Sequence, residues 1–115
     1  MKIHAGRFKN HSIKRVKLES TKETSSMVRE AVFNMVNPLE AKVLDLFAGS
    51  GSYGLTAFSL GATKVVFVDN NSKAIKTILD NINKLNIANY VEVNNVDYKQ
   101  YFKKNNDKFN LIFLD

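Results

Sequence analysis

Four short apolar runs, set apart by stretches with helical spacing, lay out the plan of this chain. Val43 to Phe47, Val65 to Val68, Tyr90 to Asn94 and Leu111 to Leu114 read as strands, each a brief run rich in branched or aromatic residues. A helix is predicted from about Gly51 to Leu60, with Gly61 as its C-cap. Asn71 or Ser72 starts the longest helix, to about Leu85, on which Ile75, Ile78, Leu79, Ile82 and Leu85 are expected to face the sheet. A short helix, Tyr98 to Lys104, precedes the last strand. Ahead of the first strand, Ser25 or Ser26 caps a helix to about Val36, ended by Asn37-Pro38. Met27, Ala31 and Met35, with Val28, Val32 and Val36 beside them, predict its apolar face. Strand–helix alternation at this rhythm predicts an α/β fold with a parallel sheet and right-handed crossovers.

The first strand runs into a glycine-rich turn, Val43-Leu-Asp-Leu-Phe-Ala-Gly-Ser-Gly-Ser-Tyr-Gly54. Gly49, Gly51 and Gly54 fit the G-x-G-x-x-G spacing, in which a tight turn brings backbone close to a ligand at a helix N-terminus. That spacing alone is shared by many nucleotide-binding proteins. Asp45 sharpens it, because a carboxylate inside the delivering strand gains nothing beside a pyrophosphate but attracts a cation. Asp69 ends the second apolar run twenty residues after Gly49, the spacing at which a carboxylate meets ribose hydroxyls in dinucleotide folds. Asp97 follows the third strand and Asp115 the fourth. Ligands bind at the carboxyl ends of parallel strands, so these acids are expected to line one crevice.

With 115 residues the chain makes one domain. Residues 1–20 read as an extension, 24–36 as a leading helix and 42–115 as a cofactor-binding core. No apolar run approaches the roughly 20 residues of a membrane span. The absence of cysteine excludes disulfides and thiolate metal sites and fits a reducing cytoplasm. His4 and His11 have no companion ligands, so no metal is expected. The charge is informative in its placement. Lys2, Arg7, Lys9, Lys14, Arg15 and Lys17 fall within the first 18 positions with no acid among them, and the remainder balances at eleven basic and eleven acidic residues. Apolar residues interleave with these charges. Met1 to Ala5 and Ile13 to Leu18 are expected to pair as a hairpin across Gly6 to Ser12, a basic ribbon suited to phosphate backbone. A plain solvated terminus is the other reading.

The chain resembles the S-adenosylmethionine-dependent methyltransferases, and within them the small-subunit (16S) ribosomal RNA guanine-N2 methyltransferases. The resemblance rests on residues 43–51, Gly54-Leu55, Gly61-Ala62, Val65 to Asp69, and the more family-specific Val28-Arg-Glu-Ala-Val-Phe-Asn34. It departs from the family at Lys22-Glu23, where Arg-Pro is usual, and at Met27, where an Arg is usual. The resemblance implies a Rossmann-like class I sheet, S-adenosyl-L-methionine as cofactor, and ribosomal RNA or a small-subunit assembly particle as partner, in the cytoplasm, with no membrane and no metal. Asp45 would lie near the methionyl amino group or sulfonium, with Gly49 and Gly51 along the methionyl and ribose portion. Asp69 would take the ribose hydroxyls, and Asp97 the adenine amino group with Val96 near the ring. Phe47, Ala48, Ser50 and Asn70 complete the implied cofactor set, and Arg29 joins the six amino-terminal cations as an implied RNA contact.

Asp115 would carry the chemistry, since it stands where the family's Asp-Pro-Pro-aromatic signature begins. The sequence stops at that residue. An incomplete sheet with an uncovered apolar fourth strand, and a chain without turnover, are the expectations that follow. Three alternatives stay open from sequence: an adenine-N6 methyltransferase, a nicotinamide-dependent oxidoreductase, and a non-catalytic nucleic-acid-binding piece.

Overall fold

A computed structural model of the chain describes residues 1–16 and 26–114, so the expectations for Lys17 and Asp115 lie outside the described residues. Helix α1 (Ser26–Met35) leads into β1 (Lys42–Leu46), α2 (Ser52–Ser59), β2 (Lys64–Asp69), α3 (Ser72–Leu85), β3 (Val91–Asn95), α4 (Tyr98–Lys104) and β4 (Leu111–Leu114), with a 3-10 turn at Ala88–Tyr90. The strands form one parallel sheet in the order β3-β2-β1-β4. The expected α/β fold is therefore the observed one. Val43 pairs with Val65 on one side and Leu111 on the other, so β1 and β2 are interior and buried on both faces, β2 through an unbroken apolar run from Val65 to Val68 and β1 through apolar residues broken only by Asp45.

Alternation within the strands sorts two cores. Val43, Val65, Phe67 and Phe113 point to the layer built by α2, α3 and the amino-terminal residues Ile3 and Ile13. Leu44, Leu46, Val66 and Val68 point the other way, against Tyr101 of α4. Burial raises the pKa of the Tyr101 phenol, with the nearby Asp107 and Glu92 carboxylates adding to the rise.

Among the described residues the amino terminus does fold back on itself, but in a different register, since Ser12, expected in the turn, is paired. Lys2 bridges Ser12, Ile13 N–H donates to Met1 C=O at 2.7 Å, and Ile3 N–H donates to His11 C=O at 3.0 Å. The turn is clamped to the end of α2, where Arg7 N–H reaches Ser59 C=O at 2.9 Å and Ser59 Oγ donates to Ala5 C=O at 2.7 Å.

Two further expectations need correcting. Helix α1 is rotated from its predicted face: Met27 and Met35 are each 78% exposed, and the packed stripe is Arg29, Val32, Phe33 and Val36. An aromatic cluster decides this. Phe33 sits 5.4 Å from Phe113 and 6.1 Å from Tyr53, centroid to centroid, and only one rotation of the helix delivers it there. On α3, Leu79 faces solvent and Asn81 takes the buried position.

Candidate functional site

The crevice is assembled where β1 and β2 end. Ala48 N–H donates to Val68 C=O at 3.0 Å, which lays the glycine turn against the neighbouring strand. Asp69 then fastens the two loops together. Its Oδ2 accepts from Gly49 N–H and its Oδ1 from Asn71 N–H, both at 2.9 Å. A carboxylate offers about four lone-pair sites. Two are used here, and the residue remains partly exposed. Asn71 in turn caps α3, accepting from Lys73 N–H and Ala74 N–H.

The motif glycines have different jobs. At Gly49, φ is +58°, and a side chain there would meet nothing within 4 Å, so its backbone borders open space. Gly54 lies inside α2, where an added Cβ would run into the Phe67 ring and sit 2.9 Å from Val65 Cγ1. Its role is helix-to-strand packing. Gly51, at φ +83°, is buried, and an added Cβ there would meet Phe67 and Ile78, so its missing side chain makes room for packing where that of Gly49 faces open space. Phe47, at the tip of β1, holds a left-handed φ of +63°, an uncommon conformation for a bulky residue.

Asp45 is 2% exposed, and its Oδ2 accepts from Gly54 N–H at 2.9 Å. The buried charge thus meets the positive end of α2 and organises the loop-to-helix junction. Ser50 is also corrected: it is fully buried, and its carbonyl accepts from Asn81 Nδ2 at 3.1 Å. Asn81 also pairs with Lys14 twice, accepting from its N–H at 2.7 Å and donating to its carbonyl at 3.1 Å. Sequence reasoning misses this amide. A signal for it exists, since position 81 falls on the apolar stripe of α3, three residues after Ile78 and four before Leu85.

The third side of the crevice comes from the β3–α4 turn. Asp97 is the N-cap of α4 and accepts from Lys99 N–H at 2.7 Å, while Val96 is half-buried against the second core. Tyr98, in the first turn of α4, packs edge-on against Phe47 at 5.4 Å, a partnership that no sequence motif marks. Both rings remain substantially exposed, so they join the β1 and β3 sides of the crevice with an open aromatic surface. Asn70 is exposed beside Asp69, and Ala48 is half-buried in the turn. Asp69 and Asp97 therefore lie at the carboxyl end of the parallel sheet, while Asp45 pairs with Phe67, short of that end, and turns to the backbone of Gly54.

The expected cations divide. Lys2, Arg7, Lys9, Lys14 and Arg15 are exposed. Arg7 stacks over the Phe8 ring at 4.8 Å, and Lys14 pairs with Asp80 at 3.2 Å. Arg29 is the correction: it is 1% exposed, and its Nη2 donates to Lys2 C=O at 3.0 Å, so it braces the amino-terminal fold from within. Lys2, Lys9, Arg15 and Arg29 nonetheless line one concavity. His4, also on that wall, has its pKa lowered by burial first and by the Arg29 charge second.

The family described as Conserved hypothetical protein 95 matches residues 1–115. The chain belongs to this family. YlbH of Bacillus subtilis (strain 168), by name a candidate rRNA methyltransferase, is 37% identical over 120 residues, covering 100% of this chain and 65% of YlbH. The Ribosomal RNA small subunit methyltransferase D of Buchnera aphidicola subsp. Baizongia pistaciae (strain Bp) is 32% identical over 118 residues, covering 100% of this chain and 60% of that protein. A solved structure of the Escherichia coli methyltransferase candidate yhhF matches with a TM-score of 0.88 at 24% identity, covering 99% of this chain and 62% of that one, a likeness of fold. The chain thus spans less than two thirds of the length of these relatives. Among its described residues, no helix is long and apolar enough to cross a membrane.

Proposed function

We propose that this family member takes part in transferring a methyl group from S-adenosyl-L-methionine to the exocyclic N2 amine of a guanine in 16S ribosomal RNA. The crevice at the tips of β1, β2 and β3 is the cofactor site in this reading. The observation that carries it is the bond from Gly49 N–H to Asp69, which sets a carboxylate with spare lone pairs beside open space. The residues present suit the cofactor's chemistry. Asp69 matches a vicinal ribose diol, the Phe47–Tyr98 surface and Val96 suit a flat adenine ring, and Asp45 lends negative charge to a loop that would face a cation. The names of the relatives, candidate rRNA methyltransferase and small-subunit methyltransferase, support the ribosomal substrate.

When bound, the cofactor supplies an electrophilic methyl group on a sulfonium. The protein's own contribution is position and polarity. The turn from Phe47 to Gly51 fixes the approach, and the Asp69 clamp keeps the β1 and β2 loops in register. An aryl amine is a weak nucleophile because its lone pair is delocalised into the ring. Asp115, by family resemblance, accepts one of its N–H bonds and localises that lone pair.

Calorimetric titration with S-adenosylhomocysteine and with NAD tests the site. The homocysteine compound binds and NAD does not; the opposite pattern, or no binding of either, overturns the proposal. Asp69→Asn loses about 10- to 100-fold in that affinity, the worth of one charge-assisted hydrogen bond. Transfer of tritiated methyl to 16S RNA and to small-subunit particles, followed by nucleoside analysis, tests the target. N2-methylguanosine supports the guanine assignment and overturns the expectation of a chain without turnover, and N6-methyladenosine refutes the assignment.

A further inference from the structure

Beyond the short amino-terminal pairing, the chain continues along α3. Lys84 Nζ donates to Ser12 C=O at 2.6 Å, Asn81 binds both backbone groups of Lys14, and Lys14 Nζ meets Asp80 at 3.2 Å. The spacing is that of two matched tracks. Two residues of extended chain advance about 6.6 Å, and the step from 84 back to 80 along a helix covers about 6 Å. Residues 12–16 therefore run antiparallel to α3, toward the helix end that begins three residues after Asp69.

An open groove lies along this path, lined by Lys14, Arg15, Lys73, Lys76, Thr77 and Asp80. Its four cations are all exposed, and its single acid is already bonded to Lys14. Arg15 lines this groove and also the concavity holding Lys2 and Lys9, so the two positive surfaces are continuous. A solvated helix face carries alternating charges and needs no internal support. Here Asn81, 1% exposed, ties one wall of the groove to the Ser50 carbonyl of the glycine turn. Burying an amide is costly unless its bonds are made, and all three of these bonds serve to fix the groove against the crevice.

We propose that this groove is a track for the phosphate backbone of the RNA substrate, leading from the amino-terminal fold to the crevice. Lys73 and Lys76 of α3 are phosphate contacts that act together with Arg15. The assignment rests on the methyltransferase reading above and adds the route by which RNA reaches that site.

The test uses the full chain and a fluorescently labelled RNA hairpin, with anisotropy measured across a series of salt concentrations. Lys73→Gln with Lys76→Gln weakens binding about tenfold at low salt and lowers the slope of log affinity against log salt by about 1 for each phosphate no longer neutralised. Binding of S-adenosylhomocysteine is unchanged in the same variant. The control, Lys103→Gln with Lys104→Gln, removes two exposed charges from α4, on the opposite face of the sheet, and leaves RNA binding near that of the unaltered chain. Equal weakening in both double variants, an unchanged slope, or no binding of the hairpin by the unaltered chain overturns the track. If S-adenosylhomocysteine fails to bind while the slope change is observed, the cofactor reading falls and the track stands.

Discussion

Replacing Gly54 with alanine separates packing from ligand approach in the glycine turn. An added Cβ would lie 2.9 Å from both Phe67 Cζ and Val65 Cγ1, with Phe67 Cε1 closer still. Carbon atoms in ordinary contact sit about 3.5–4.0 Å apart, so the overlap is severe. Phe67 is fully buried, and Val65 is as well, so neither neighbour can yield freely. Overpacking of this kind costs about 1–3 kcal/mol, and the gain from alanine over glycine within a helix returns about 1 kcal/mol at most. The net expectation is a loss of up to about 2 kcal/mol, read as a lower urea midpoint with unchanged m-value and a Tm lower by up to about 10 °C. Phe67→Leu makes room, so the double variant is less destabilised than the sum of the singles, with a coupling of at least about 0.5 kcal/mol. Gly49→Ala provides the contrast. Nothing within 4 Å opposes its Cβ, so it costs about 1–2 kcal/mol through its left-handed backbone alone. It nevertheless weakens S-adenosylhomocysteine binding beyond that stability loss, because the methyl group occupies the open space. Strict additivity of Gly54→Ala with Phe67→Leu would refute the packing argument. An unchanged affinity in Gly49→Ala would refute the placement of the ligand.

Two other outcomes follow from the described geometry. His4 has its folded pKa held below the ordinary value of 6.5, so the unfolded chain takes up the proton first as pH falls. Its contribution is fully present above 6.5 and is lost as pH drops from there toward the lowered folded value. The urea midpoint therefore falls more between about pH 7.5 and about pH 5.5 than it does in His4→Phe, which keeps a ring beside Phe33; equal pH dependence in the two would refute the assignment. Strand β4 ends the sheet order beside β1, with Leu114 70% exposed and Ile112 45% exposed. An apolar edge of this kind pairs with other chains, so sedimentation shows concentration-dependent self-association that Ile112→Lys with Leu114→Lys abolishes. A monodisperse monomer across the concentration series would refute it.

Local pattern alone determined the elements and their order. The apolar run from Val65 to Val68 marked β2, the Val43-to-Phe47 stretch running into glycines marked β1 and its turn, and Asn71 or Ser72 marked the start of α3. These features are set by backbone preference and by neighbours close in sequence. Tertiary structure decided what those preferences leave degenerate. The six apolar positions read on α1 allowed more than one packing rotation, and the Phe33–Tyr53–Phe113 cluster selected one that buries Arg29 and exposes Met27 and Met35. The glycine spacing named three equivalent positions, and only the location of Phe67 distinguishes Gly54, which packs, from Gly49, which faces open space. Asn81 joins residues 31 and 67 positions away in the chain, and Arg15 becomes part of a groove only because residues 12–16 lie along α3. Such contacts depend on which surfaces meet after collapse, and their energies exist only between elements that stand far apart along the chain.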